Sequence, residues 1–466
     1  MRLPILFLLF LLGFPLFSQE GMVRIDSISV EGNKKTHRAI ILRELPFQSG
    51  DTIPLAALSG VLEEGERWLM NTGLFNRVDI FFRNWEGSAN RVHLQVEVEE
   101  SWYFYPIPVF ELADRNFNVW WVDQKRSLAR TNYGIDFKHR NTTGRRDRLN
   151  VVFKAGYTQL FLTNYTLPYF NRSKTWGLSW YSLFARNREI NYATIGNRQA
   201  FYKSDDHFAL NRFTTQFSLI HRPKLNQQHY VQLGFFQNQV LEKVSEELNP
   251  GYFLNEKNRQ RFFSLSYQYI FDERDIRPYP LSGVYFSTEL EKDGLGVFPD
   301  RNGLTLYGDF RRYIPLGKGP FYAAVLAKGK YSLIREQQPY NDNRAIGFQD
   351  YTLHGYEYYV IDGPDMVMIN TSLRLKLWDD QINFGKLMPF TTFRKMPLKV
   401  FLALNGDGGY VNNPWNVYDN SFNNRWLMGG GLGLDVVFFF DFVLRIEGSV
   451  NHLREPGFYL HFNTSI

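Results

Sequence analysis

The sequence predicts a mostly-β protein: a sixteen-stranded antiparallel transmembrane β-barrel over residues 102–466, preceded by one small α+β domain over residues 22–100. After residue 102 the chain reads as segments of about ten residues in which apolar and polar side chains alternate, the pattern of barrel strands. Aromatic residues make up 17% of the chain, as expected if rings line both edges of a lipid-facing band. Beyond the N-terminus, no segment has the ~18 consecutive apolar residues of a membrane helix.

The first residues have the composition of an export signal. Arg2 is followed by an apolar run from Leu3 to Phe17 and by the small residue Ser18. This order of charge, apolar stretch and small residue is typical of a secretory signal peptide, here residues 1–18. Because the run is shorter than the ~20 residues needed to span a membrane, we expect an exported chain rather than a helical anchor.

Residues 22–100 mix strand and helix periodicity. Alternating apolar residues predict strands at 23–30, 78–80 and 92–98. Thr36 is a good N-cap for a first helix. A second helix follows Gly50-Asp51 and carries leucines on one face, namely Leu55, Leu58, Leu62 and Leu69. The predicted order is strand, helix, helix, strand, strand.

Three later segments show the two-residue alternation most clearly: Phe263–Tyr269, Ile369–Leu377 and Phe442–Val450. A soluble β-sandwich alternates in the same way, so the pattern alone does not separate a lipid-facing surface from a packed core. Sixteen such segments fit between Trp102 and Ile466, a count typical of bacterial barrels, and no convincing helix interrupts them. The stretch 378–397 is too long for a usual turn on the side where the chain first enters the barrel, so an alternative is that one strand of this count is misplaced.

Signals for catalysis are absent from the sequence. There is no cysteine, no nucleophile elbow and no phosphate-binding loop, and the nine histidines lack metal-ligand spacing. The glycine run 429–433 lacks the βαβ surroundings of a dinucleotide site, so we interpret it as a bend in a strand. The net charge of +6 is dispersed, which disfavours nucleic-acid binding. We therefore expect no enzyme, no cofactor, no metal and no nucleic-acid partner.

The chain resembles a known family. The front domain, with I-S-V-E-G-N at 28–33, R-E-L at 43–45, G-D at 50–51 and N-T-G-L-F at 71–75, resembles a POTRA domain. The barrel resembles that of the BamA/TamA-type outer-membrane assembly and translocation superfamily, whose D-x-R-D segment ending in Pro-x-x-Gly is similar to Phe271–Gly283. The resemblance implies a barrel in the cell outer membrane with its POTRA domain in the periplasm.

A loop motif is a second point of similarity. Leu353, His354, Gly355 and Tyr356 lie in the long connection 336–364, where the family carries an R-G-[FY] motif folded into the barrel lumen. Asp407, in N-G-D-G-G, resembles the wall residue that receives the arginine of that motif.

In this chain His354 stands where the family has arginine. Because a histidine near pH 7 is mostly neutral and makes at most single hydrogen bonds, we predict a loop contact that is weaker, pH-sensitive or replaced by another contact. The alternative is that His354 is a lumen residue with no special role.

The first barrel strand contains Pro106 and Pro108, two positions apart. Their missing N–H donors point toward the same neighbouring strand, so that edge cannot form a full ladder. If this strand closes the barrel against the last one, the seam is short of hydrogen bonds and can open toward lipid, as the resembled family is thought to do. The alternative is that the prolines merely mark where the chain enters the membrane.

The last strand carries a pattern of its own. Glu455, Gly457, Leu460 and Phe462 fit the polar-x-Gly-x-x-apolar-x-aromatic sequence by which outer-membrane barrels are recognised for assembly. By this pattern the protein is itself a client of assembly.

The resemblance implies that the protein inserts or translocates β-rich polypeptides without ATP, either as an outer-membrane protein assembly factor or as an accessory subunit of one. Its partners would be unfolded or nascent outer-membrane polypeptides, assembly subunits and the lipid bilayer. A client strand would add to the POTRA sheet edge around Phe75, Val78 and Ile80. The alternatives are a passive pore or structural envelope protein that kept the fold, or the barrel half of an enzyme system like family members fused to a lipase-like domain.

Overall fold

The computed structural model divides the chain into two compact units, one of residues up to 34 together with 38–100 and one of residues 35–37 together with 101 onward. None of the helices in the described part has the length and apolarity needed to cross a membrane. The predicted signal peptide, residues 1–18, lies outside the described residues. Those residues are 21–86, 90–114, 117–348, 350–383, 385, 395–416, 420–438 and 442–464.

The first unit is a four-stranded sheet with two helices. The strand order is β2-β1-β4-β3, in which β1 and β4 run parallel and the other neighbours antiparallel. The two helices and three long strands agree with the predicted order, and only the three-residue β2 is additional. The elements are β1 Met22–Glu31, α1 Arg38–Arg43, β2 Thr52–Pro54, α2 Leu55–Met70, β3 Phe75–Glu86 and β4 Arg91–Glu100.

The core of the first unit follows from its periodicity. Every second residue of β4 is buried, from Val92 to Val98, because strand side chains alternate between the two faces. Helix α2 buries Leu58, Leu62 and Leu69 on one face, whereas Leu55 is exposed. The N-cap prediction for Thr36 is wrong, because the residue lies two positions before α1 and its hydroxyl hydrogen-bonds to the Tyr103 hydroxyl at 2.9 Å.

The second unit contains the sixteen-stranded antiparallel sheet, which confirms the predicted fold class and strand count. Neighbours in the sheet are neighbours in sequence, except that the hairpin β10–β11 stands apart between β9 and β12. Single helical turns lie at Leu128–Arg130, Lys243–Leu248 and Tyr340–Asp342. The longer elements are β5 Phe104–Leu112, α3 Phe117–Val122, β6 Thr131–His139, β7 Arg148–Gly156, β8 Thr158–Leu167, β9 Trp176–Asn187, β10 Glu189–Ile195, β11 Arg198–Lys203, β12 Leu210–Lys224, β13 Gln227–Val240, β14 Arg259–Asp272, β15 Gly283–Asp293, β16 Gly303–Pro315, β17 Phe321–Ser332, β18 Asp365–Asn383, β19 Lys395–Asn412, β20 Trp426–Phe438, β21 Phe442–Asn451 and β22 Pro456–Thr464.

The two faces of this sheet differ in polarity. Large apolar residues such as Phe217, Leu233 and Leu373 are exposed on the outer face. The polar residues that alternate with apolar ones along each strand, such as Ser264 and Ser266 in β14, are buried on the inner face. This is the inverse of a soluble protein and the arrangement expected of a sheet with lipid outside.

Two features of the barrel differ from the sequence expectation. Helix α3 interrupts the connection from β5 to β6, although no helix is predicted after Trp102; its six residues are too few for helical periodicity to appear. The long stretch 378–397 does not come from a misplaced strand. Strands β18 and β19 pair from Asp365↔Asn412 to Asn383↔Lys395, so the hairpin extends past its neighbours.

The connections at the two ends of the barrel differ in length. At the end where the chain enters, β12 and β13 are joined by two residues and β16 and β17 by five, and the connections from β6 to β7 and from β8 to β9 have eight residues each. At the opposite end, the segment 333–364, the β10–β11 hairpin and the connection 413–425 contact one another. Asn197 of the hairpin donates its backbone N–H to the Asn420 side chain at 2.8 Å, and its carbonyl accepts from the Val360 N–H at 2.9 Å. We call these three segments the cap.

Candidate functional site: lumen loop, seam and sheet edge

The connection between β17 and β18 folds against the inner wall of the barrel. Lys328 and Lys330 of β17 donate hydrogen bonds to its backbone carbonyls at Asp350 and Arg344, each at 2.9 Å. Its apolar residues enter a cluster with inward side chains of β18, β19 and β20. The members of this cluster are Ala345, Ile346, Leu353, Tyr356, Ile361, Met366, Met368, Val411, Phe422 and Leu427.

His354 bridges two buried carboxylates of the wall. Its backbone N–H donates to Asp407 Oδ2 at 2.7 Å, and its ring Nδ1 lies 2.5 Å from the same oxygen. Its Nε2 lies 3.0 Å from Glu447 Oε2. The carboxylate side chains are fully buried, Asp407 on β19 and Glu447 on β21. We call this three-residue contact the latch.

The latch requires a charged histidine. A carboxylate only accepts hydrogen bonds, so both ring nitrogens must carry protons to pair with both partners. Burial by itself lowers the pKa of the His354 imidazole, but hydrogen bonds to Asp407 and Glu447 and their negative charges outweigh burial and raise this pKa to about 10. The prediction of a mostly neutral histidine with a single hydrogen bond is therefore wrong. The sequence pattern gave Asp407 as a partner and omitted Glu447.

Glycines allow the loop to approach the wall closely. A Cβ on Gly429 of β20 would lie 1.9 Å from the His354 carbonyl oxygen, and one on Gly409 of β19 would lie 2.8 Å from a Leu353 methyl. Gly355 has φ +83°, and a Cβ there would meet the Asn451 nitrogen at 2.7 Å. The glycine run predicted to bend a strand thus also provides a docking surface for the loop backbone.

The loop also contacts the last hairpin of the barrel. The Tyr356 hydroxyl hydrogen-bonds to the His452 ring and donates to the Met428 carbonyl at 3.2 Å. The Tyr359 hydroxyl donates to Glu455 Oε2 at 2.8 Å, directly before β22. The loop therefore contacts the chain immediately before the last strand of the sheet.

Pro106 and Pro108 lie on the free edge of β5. Tyr103 and Ala113, which flank β5 at odd positions, both use their backbone groups to hydrogen-bond on the β6 side. The β5–β6 ladder between them has no bulge. Since successive residues of an antiparallel strand point alternately to its two neighbours, the even positions 106 and 108 face away from β6. The prolines therefore remove donors from the outer edge.

The hydrogen-bonded order of the sheet ends at β5 on one side and at β22 on the other. Over the described residues of these two strands, 104–112 and 456–464, no ladder joins them. We call this boundary the seam. Outside any ladder, the Phe104 carbonyl accepts a hydrogen bond from the Trp102 indole.

The terminal-strand residues have separate surroundings. Glu455 accepts from Asn451 at 2.8 Å as well as from Tyr359. The buried Tyr459 ring lies over Gly457, where a Cβ would be 2.1 Å from its hydroxyl oxygen. Leu460 is half-buried opposite Ile446, and the backbone of Phe462 lies in β22, whereas its side chain lies outside the described residues.

In the first unit, β3 is an edge strand of the sheet. The side chains of Phe75, Val78 and Ile80 are buried, so this edge offers backbone groups rather than those side chains. Phe81, Phe82 and Trp85, further along β3, expose about two fifths of their surface each, at 40%, 42% and 41%. The prediction for β3 uses only the alternating apolar residues of this strand. It therefore does not single out Phe81, Phe82 and Trp85, although these aromatic residues are visible in the sequence.

Comparisons with known proteins give a consistent result. Residues 23–101 match the POTRA family, described as a surface antigen variable number repeat, and residues 141–368 match the Omp85 superfamily domain. No curated protein matches the sequence significantly.

Solved structures with the same fold include BamA from Haemophilus ducreyi lacking POTRA domains 1–3, with 16% identity and a TM-score of 0.55 over 94% of this chain and 83% of that one. CdiB from Escherichia coli is similar at 12% identity and a TM-score of 0.57, over 94% of this chain and 75% of that one. CdiB from Acinetobacter baumannii has 15% identity and a TM-score of 0.51, over 95% and 73%.

Fold and family matches together define a bacterial outer-membrane β-barrel that carries one POTRA domain. The chain belongs to the Omp85 superfamily as a single-POTRA member. Its general function is accordingly insertion or secretion of proteins at the outer membrane, acting on nascent outer-membrane or secreted polypeptides, and it is not an enzyme.

The latch is expected to weaken in alkali. Because the pKa of His354 is raised from 6.5 to about 10, the latch stabilises the docked loop fully below about pH 6.5, progressively less above it, and no longer once pH has risen through 10. NMR of protein labelled at its nine histidines should show one imidazole titrating near pH 10 that is missing from His354→Gln. A His354 signal that titrates near pH 6.5 would contradict the bridging geometry.

Gly429→Ala is expected to undock the loop. The new Cβ overlaps the His354 carbonyl oxygen, and overpacking of this kind costs about 2 kcal/mol. Because the chain has no cysteine, Val360→Cys gives a single buried thiol whose labelling rate reports undocking. The rate should rise roughly tenfold or more with Gly429→Ala. Gly408→Ala, where a Cβ meets nothing within 4 Å, is the matched control; equal rates in the two variants would exclude close docking.

Proposed function

We propose that this protein inserts or translocates β-rich polypeptides through a seam between its first and last barrel strands. A client strand first pairs with the β3 edge of the POTRA domain in the periplasm, and the seam then receives it. The observation that carries the proposal is the free edge of β5, where Pro106 and Pro108 remove two neighbouring donors. No ATP is needed, because burial of the client in lipid supplies the free energy.

The seam differs energetically from every other strand boundary. A backbone hydrogen bond contributes about 1 kcal/mol net in water and more where water is excluded. Ladders elsewhere are long; β12 and β13 pair continuously from Leu210 to His221. Because the edge of β5 lacks two donors, a client strand that enters between β5 and β22 has the fewest hydrogen bonds to replace, and its insertion there costs the least free energy.

The lumen loop, which is the connection 333–364 between β17 and β18, supports this proposal as the part of the cap that would couple it to the seam. It contacts β19 and β21 through the latch and Glu455 through Tyr359. We infer that docking of the loop stiffens the side of the seam formed by β21 and β22. Undocking would let this hairpin move away from β5.

The POTRA edge supports pairing as the first step. An edge strand presents unpaired backbone groups that an extended polypeptide can bond. The exposed aromatics at 81, 82 and 85 add apolar contact area beside that edge.

A passive pore fits the structure less well. The loop 336–364 and its apolar cluster occupy the lumen, and Tyr279 from the connection between β14 and β15 packs on Phe401 with ring centroids 4.8 Å apart. The Tyr279 hydroxyl also donates to Asp435 at 2.7 Å. These contacts favour a filled lumen over an open channel.

Locking the seam should abolish activity. Pro106→Cys with Phe458→Cys, joined by a flexible bifunctional crosslinker in cells, is expected to lower the outer-membrane level of client proteins severalfold, because the strands can no longer separate. Phe217→Cys with Leu233→Cys, opposed across the regular β12–β13 ladder, is the control and should leave those levels unchanged. Unaltered client levels with a fully crosslinked seam would exclude a moving seam.

Planar-bilayer recordings distinguish the pore alternative. The intact protein should give small, fluctuating conductance, and replacement of residues 336–364 by a short Gly-Ser linker should give a large one, because the loop occupies the lumen. Large, steady conductance that the replacement does not change would favour a passive pore.

A further inference from the structure

The free edge of β3 has a regular stretch between two bulges. Its ladder with β4 is shifted between Phe75 and Arg77 and again between Phe82 and Asn84, so residues 77–82 pair without interruption. Within this stretch, the backbone N–H of Ile80 donates to a side chain, Glu66 Oε1 of α2, at 2.7 Å. Alternation along the strand then directs the N–H groups of residues 78, 80 and 82 outward. The Glu66 carboxylate thus accepts the hydrogen bond of the Ile80 N–H, the middle one of the three outward N–H groups of this free edge.

The position of α2 explains why Glu66 reaches the edge. Gly65, the preceding residue, is buried against β3, and a Cβ there would lie only 3.1 Å from the Ile80 Cδ1. Without a side chain at 65, the helix approaches β3 closely enough for the next carboxylate to bend round the strand. Half-buried and charged, this carboxylate makes a stronger hydrogen bond than a neutral acceptor would.

We propose that Glu66 is a built-in competitor of the client strand on the POTRA edge. The inference builds on the proposed function, in which an extended client segment pairs with β3. In that pairing a client carbonyl takes the Ile80 N–H, so the client must first displace the Glu66 carboxylate into solvent. Glu66 thereby sets a threshold: segments that pair over the whole stretch 77–82 bind, and those that offer one or two backbone bonds do not.

The contact has a second consequence for the empty edge. Unpaired backbone N–H groups along the free edge of a sheet can pair with any exposed strand, including the β3 edge of a second copy of this protein. Glu66 satisfies the central donor in the absence of a client. The threshold therefore acts against accidental partners as well as weak clients.

The experiment measures the affinity of a defined client peptide for the full chain in detergent micelles. The probe is a synthetic peptide with the sequence of residues 455–466 of this protein, which carries the terminal-strand pattern. A photoreactive amino acid at Arg83, exposed on β3, records peptide bound to the POTRA edge rather than to the seam. Glu66→Ala should bind about tenfold more tightly than the parent protein, because the competing charged acceptor is gone.

Three variants test the mechanism. Glu66→Asp keeps the charge but is one methylene shorter, so it should resemble Glu66→Ala. Glu66→Gln keeps a neutral acceptor and should be intermediate. Glu63→Ala removes a carboxylate from an exposed position of the same helix and should match the parent. In the absence of peptide, amide exchange at Ile80 should be faster in Glu66→Ala and unchanged in Glu63→Ala.

The outcomes separate the two proposals. Equal peptide affinity with and without the Glu66 carboxylate overturns the competitor role and leaves the client site in place. Absence of crosslinking at position 83 in every variant overturns the client site itself, and the competitor role with it. If Glu66→Ala disturbs the POTRA fold, seen as lost protection of the Val96 amide, the charge-preserving Glu66→Asp variant decides the result.

Discussion

Within lipid, every backbone N–H and carbonyl must find a partner on a neighbouring strand, and this constraint organises the whole barrel. Fifteen boundaries between neighbouring strands of the sheet meet it through ladders, and only those of β12–β13 and β18–β19 contain an irregularity in register over the described residues. The one remaining boundary lies between the first strand and the last, and there Pro106 and Pro108 remove donors from the free edge of β5. In the proposed function, this is the boundary that opens to admit a client strand.

The latch shows how a pair of acceptors determines the charge of the group between them. An arginine brings its charge with it, whereas His354 acquires one because Asp407 and Glu447 hold its ring from both sides. Each carboxylate on its own would be costly to bury, so the three groups stabilise one another as a unit. The glycines at 409 and 429 are as necessary as the charges, since the backbone of the loop reaches the wall only across positions without a Cβ.

Much of this architecture follows from local pattern. A two-residue period gives the strands, their faces and their number, and motif similarity brings His354 and Asp407 together. Glu447 sits on the polar face of a predicted strand, but its meeting with His354 depends on the register of three strands and a long loop, which local sequence does not encode. The contact of Glu66 with Ile80 likewise depends on how closely a helix approaches a sheet. The six-residue helix α3 is shorter than two helical turns and leaves no periodic signal.

The two bulges in β3 limit what the POTRA edge is able to read. Six residues of regular strand, from 77 to 82, span roughly 20 Å. A partner of that length turns every second side chain toward the helix side and the others away, so only about three side chains face each surface. About three side chains on each surface are too few to specify the amino-acid sequence of the partner strand. They suffice to distinguish an alternating strand from an irregular one, so under the proposed pairing the edge recognises a class of polypeptide by its two-residue period.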